Sequence, residues 1–135
     1  MITDEPEWYE QLLALALERN PGIWEDLRTS GMTDDSELRL AFLYVAPGEA
    51  EADDLAAFLR AETDYEVRPH SQREGRVAGR DWFVAGVTRP AALTLEIVDA
   101  WVEWMIAAGA AHGPCAFDGW AGHLAGETPP PPAPE

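Results

Sequence analysis

The run LRLAFLYVAPGEAEADDLAAFLRAE, Leu38–Glu62, decides the fold class. Leu38–Val45 is apolar and rich in strand formers, and Pro47-Gly48 stops it. Glu51–Glu62 then places Leu55, Phe58 and Leu59 on one helical face. The acids Glu49, Glu51, Asp53 and Asp54 complement the positive end of that helix's dipole. A strand followed at once by an amphipathic helix predicts mixed α and β structure.

Outward from this run the alternation continues. Tyr65–Pro69 reads as a short second strand. A polar loop rich in Gly and Arg leads to a third strand, Trp82–Thr88. Pro90 is expected to open a long helix, about Ala91–Ala108, ended by Gly109. A brief strand, Cys115–Phe117, is expected to precede a turn at Asp118-Gly119. The order strand, helix, strand, strand, helix, strand is the split βαβ pattern of an α+β, ferredoxin-like βαββαβ sandwich with a four-stranded antiparallel sheet. Its first and third strands should be central. They are the two most apolar, while Pro69 and Pro114 mark the other two as edges.

Upstream, a helix is expected from about Pro6 to Arg19, capped by Thr3 or Asp4 and ended by Pro21-Gly22. A shorter helix through Ile23–Arg28 is allowed, broken by Ser30-Gly31. Three regions follow: an N-terminal helical extension (1–31), the sandwich domain (32–125) and a disordered proline-rich tail (126–135). Both faces of the first strand are apolar, Leu40, Phe42 and Tyr44 on one and Ala41, Leu43 and Val45 on the other. The long helix is apolar around more than half its circumference. The N-terminal helix, a second copy of the chain, or both, should cover this excess, since large apolar patches mark interfaces.

In 135 residues there are 25 acids and 9 arginines, no lysine, and a net charge of −16. So acidic a surface opposes direct binding to nucleic acid or anionic lipid and suits a basic partner. With no leader-like segment and no apolar run of about 20 residues, the chain reads as cytoplasmic, with no membrane partner. The basic residues cluster: Arg68, Arg73, Arg76 and Arg80 surround the polar loop, as solvated charges or as a small anion site.

Chemistry is scarce. His112-x-x-Cys115 offers two metal ligands and no second pair, and Cys115 reads as a core residue, so neither metal nor cofactor is expected. Asp53-Asp54 and Asp34-Asp35 do not converge as neighbouring side chains. Gly75, Gly79 and Gly86 fit no phosphate-binding loop. The chain is not expected to be an enzyme.

Phe117-Asp118-Gly119-Trp120, after a helix and a short strand, resembles the ending of the ribonuclease E inhibitor RraB family. The Leu40–Tyr44 strand, the Ala52–Leu59 helix, Tyr65-Glu66-Val67, and Trp82-Phe83-Val84 before Pro90 add to the likeness, which spans residues 37–124. The resemblance implies an acidic ferredoxin-like domain that binds and restrains the endonuclease that begins messenger RNA decay. Named inhibitors carry an acidic C-terminal tail where this sequence has Pro129–Pro132, and the region of Trp8 and Trp24 has no evident counterpart. The expectation is a non-catalytic protein-binding module using Glu96, Asp99, Glu103 and Trp104. The alternative is a homodimeric small-ligand sensor gripping an anion with Arg68, Arg73, Arg76 and Arg80.

Overall fold

The computed structural model describes residues 8–33, 35–68, 71–74, 80–112 and 114–124, with 71–74, 80 and 81 described by backbone alone. The expected caps Thr3 and Asp4, together with Pro6, Asp34, Pro69, His70, Arg76 and the tail from 126, lie outside the described residues. Helix α1 (Tyr9–Thr29) is followed by β1 (Glu37–Ala46), α2 (Glu49–Glu62), β2 (Glu66–Val67) and β3 (Ser71–Glu74). Then come β4 (Arg80–Val87), β5 (Ala91–Ala92), α3 (Leu95–Ala111) and β6 (Ala116–Leu124).

All strand pairs are antiparallel. β6 lies along one side of β1, and β4 and then β5 along the other, so that Leu38 pairs with both Leu124 and Ala91. β2 and β3 follow each other along the outer side of β4, with Glu66 opposite Val87 and Ser71 opposite Phe83. Among the described residues six segments therefore form four lanes, with β1 and β4 inside.

Alternation along β1 sends Leu38, Leu40, Phe42, Tyr44 and Ala46 into the core, where they meet Ala52, Leu55, Ala56 and Leu59 of α2. Val98, Val102, Met105 and Ile106 of α3 complete it. Gly109 lets α3 approach this layer, for a Cβ there would lie 2.7 Å from the Tyr44 ring and 2.5 Å from the Cys115 carbonyl. The Tyr44 hydroxyl donates to Met105 O at 2.6 Å, which satisfies the largest fully buried polar side chain.

The structure corrects four expectations. Helix α1 does not stop at Pro21-Gly22; it runs through them to Thr29. Pro21 costs one backbone hydrogen bond, but Trp24 and Leu27 beyond it pack on the core, and tertiary burial outweighs the local penalty. The helix ends where Ser30-Gly31 was expected to break it: Gly31 has φ +118° and Met32 N–H donates to Leu27 O. Pro90 does not open α3. Ala91-Ala92 pair with β1, and Thr94 caps the helix by accepting from Ile97 N–H at 3.2 Å. The polar loop is shortened by β3, which pairs with the first half of β4. Finally, Asp118-Gly119 is no turn, because β6 continues through it to Leu124.

α1 lies beside α3 on the helical face, with Leu27 over Gly122 of β6. It thus covers the flank of α3, as the apolar excess of that helix required. On the opposite sheet face Ala41, Leu43, Phe83 and Val87 are also buried. Arg39 crosses that face, donating to Thr88 O at 3.2 Å and pairing with Glu66 at 3.1 Å. Among the described residues no helix is long and apolar enough to cross a membrane.

Candidate functional site

The connection from α2 to β2 and the outer flank of α3 bound a shallow groove of about 680 Å³. Ile97, Ala100, Trp101 and Trp104 supply the α3 side, and Glu62, Thr63, Asp64 and Tyr65 the other. Its floor is fixed: Trp101 Nε1 donates to the Tyr65 hydroxyl at 2.9 Å. Burial pushes the Tyr65 phenol above its ordinary range, with Asp64 adding to the rise, so it stays the neutral acceptor this bond needs. Trp104 stacks on Phe58, with centroids 6.1 Å apart, and Phe58 stacks on His112 at 3.7 Å.

The walls of the groove are unusual for a protein surface. Ile97 is 49% exposed and Trp104 40%. Acids flank both sides, Glu62 and Asp64 on one and the exposed Glu96 and Glu103 on the other, each one turn of helix from Ala100. Asp64 also pairs with Arg89 at 3.6 Å, in the open. Of the four residues expected to contact a partner, Glu96, Glu103 and Trp104 share this outer flank. Asp99 does not: it points to α1, where it accepts from Asn20 Nδ2 at 2.9 Å.

The Phe117–Trp120 motif does a different job. Tyr44 pairs with Phe117 and Leu43 with Gly119, leaving Asp118 as the extra residue of a β-bulge. Gly119 adopts φ +140°, which other residues rarely enter. Phe117 is buried, edge-on to Tyr44 and Trp101, while Asp118 is exposed. Trp120 is half-buried and donates from Nε1 to Asn20 Oδ1 at 2.9 Å. The bulge and α1 enclose a cleft of about 240 Å³.

Of the four arginines of the alternative reading, Arg68 is the one whose side chain is described, and it lines neither cavity. Arg68 is exposed and its carbonyl accepts from Arg60 at 3.2 Å. In backbone register Arg73 sits opposite Asp81 and Arg80 opposite Glu74, so each has an acid as its cross-strand neighbour. Arg76 lies outside the described residues.

His112 and Cys115 make no nucleophilic pair. The imidazole stacks on Phe58, and the Cys115 thiol, buried, points to Glu51 O at 3.5 Å. Burial, with Glu51 and Asp54 nearby, pushes that thiol up to about 12, far from the thiolate a nucleophile requires. Among the described residues no three His, Cys, Asp or Glu side chains are placed to hold a metal ion.

Asn20 and Arg19 went unnoticed in the sequence, because the helix containing them was expected to end there. A polar residue flanked by Ala16, Leu17, Ile23 and Trp24 was the available signal. No protein-family model matches the chain, and no curated protein matches it either.

Proposed function

We propose that this chain is a ferredoxin-like, non-catalytic protein-binding module whose docking surface is the acid-flanked groove of α3. The observation that carries the reading is the pairing of exposed Ile97 and Trp104 with carboxylates on both sides. Tryptophan in a desolvating pocket is a common binding anchor, and surrounding charge selects and steers the partner. The fitting partner presents an apolar side chain among arginines or lysines. The lane order β6, β1, β4, β2 supports the ferredoxin-like part of the reading.

A ribonuclease E-type endonuclease is the partner the Phe117–Trp120 resemblance implies, and its RNA-handling surface would meet the charge requirement. The test is an RNA cleavage assay with that enzyme and the purified chain. Inhibition that weakens with salt, and is lost in Trp104→Ala and in Glu96→Lys with Glu103→Lys, is the expected result. Inhibition untouched by these changes would move the site elsewhere. Absence of inhibition at micromolar chain would remove the endonuclease as partner.

A further inference from the structure

We propose that the outer edge of β6 takes up an antiparallel strand from a partner protein, an extended segment in which apolar residues alternate with arginine or lysine. This edge is separate from the α3 groove and is built by residues that groove does not use.

The ladder shows which backbone groups point outward. Leu40 turns both of its own to the β4 side, where its N–H donates to Thr88 Oγ1 and its C=O accepts from Thr88 N–H, each at 2.9 Å. Sides alternate along an antiparallel strand, so Arg39, Ala41 and Leu43 turn theirs to β6, toward His123, Ala121 and Gly119. Trp120, Gly122 and Leu124 therefore point their N–H and C=O away from β1. Among the described residues no strand lies on that side and no hydrogen bond reaches those groups.

Sheet edges are ordinarily guarded by shortness, proline or lysine. The opposite edge is split into β2 and β3, of two and four residues. β6 has nine residues with neither proline nor lysine, and its bulge at Asp118 still leaves Gly119–Leu124 in regular register.

An apolar cleft adjoins this edge. A strand added antiparallel puts the side chains of its bonded residues on the face of Trp120 and Gly122, which α1 covers through Asn20 and Leu27. There Leu12, Leu15 and Ile23 of α1, with Phe117 and Trp120, line a cleft of about 240 Å³, and Leu15 is 41% exposed. At roughly 30 Å³ per non-hydrogen atom, the share of a liquid water, that space takes about eight atoms, the size of one phenylalanine side chain. Main-chain bonds along the edge give affinity, and the cleft selects the side chain. The intervening residues emerge on the other face. Arginine or lysine is favoured there, because the chain has a net charge of −16 and the edge carries the exposed Asp118.

The test is amide hydrogen exchange of the full chain, read by NMR at moderate salt. The probe is a blocked heptapeptide alternating lysine with apolar residues, phenylalanine at its centre and valine on either side. With peptide at about 100 times its Kd, the backbone amides of Trp120, Gly122 and Leu124 should exchange about 100-fold more slowly. Methylating the peptide's amide nitrogens at its apolar residues, which face β6, should abolish this, and methylating them at its lysines should not. Leu15→Ser, which alters an exposed side chain of the cleft, should weaken binding about tenfold. No protection at millimolar peptide would overturn the proposal, as would binding that tolerates methylation at the apolar residues. Binding lost in Trp104→Ala would place the peptide in the α3 groove and overturn it too. So would slow exchange without peptide that deepens with chain concentration, because a second copy would then hold the edge.

Discussion

Trp120 is held at both ends, its N–H by Asn20 and its ring by the edge of Trp101 at 6.5 Å. Trp120→Phe keeps most of the ring packing but leaves the Asn20 oxygen without its donor in a buried position. The expected cost is about 1–3 kcal/mol, read as a lower urea midpoint with unchanged slope. Cys115 gives a prediction in pH. Its thiol is raised from 9.0 to about 12, so the folded state binds that proton more tightly than the unfolded chain does. The resulting stability is complete below about pH 9 and is lost as pH rises toward 12. Urea unfolding on either side of pH 9 should show the decline, and Cys115→Ala should show less of it. Part must remain, because the Tyr44 and Tyr65 phenols are also raised by burial.

The elements divide into those a local pattern specifies and those it does not. β1, α2 and α3 were legible because periodicity and burial coincide: β1 alternates between two buried faces, and α2 buries Ala52, Leu55, Ala56 and Leu59. α1 was misjudged because Pro-Gly is a strong local stop, while the force that carries the helix onward is Trp24 and Leu27 packing on distant residues. Asp118-Gly119 misled for the same reason, since Asp-Gly suits a turn and a bulge equally well until the register with Leu43 and Tyr44 is known. The groove was legible only in part. The exposed acids of α3 stood out, but the Tyr65–Trp101 bond joins residues far apart in the chain. α1 offers a direct check. Gly22 lies within the helix, is exposed, and has nothing within 4 Å of where a Cβ would sit. Gly22→Ala should therefore raise stability by about 0.5–1 kcal/mol in chemical denaturation. If α1 truly ended before Gly22, the substitution would gain nothing from helix propensity.

Across the whole molecule, charge and apolar exposure coincide on one flank. Of the three exposed large apolar side chains among the described residues, Ile97 and Trp104 lie in the groove lined by Glu62 and Asp64, with the exposed Glu96 and Glu103 one helical turn from its Ala100. Buried partners of that kind dominate binding, and Trp104→Ala should cost about 2 kcal/mol or more of affinity while leaving the unfolding midpoint nearly unchanged. Opposite behaviour, a lowered midpoint with affinity intact, would make Trp104 a packing residue on Phe58. Docking in the α3 groove is best checked by pull-down from native lysate with three baits at low and moderate salt, read by mass spectrometry. The baits are the natural chain, Trp104→Ala, and the double charge reversal Glu96→Lys with Glu103→Lys. A basic partner should be retained by the natural chain at low salt, depleted at moderate salt, and missing from both variants. A partner captured equally by all three baits, or none captured by the natural chain, would contradict it.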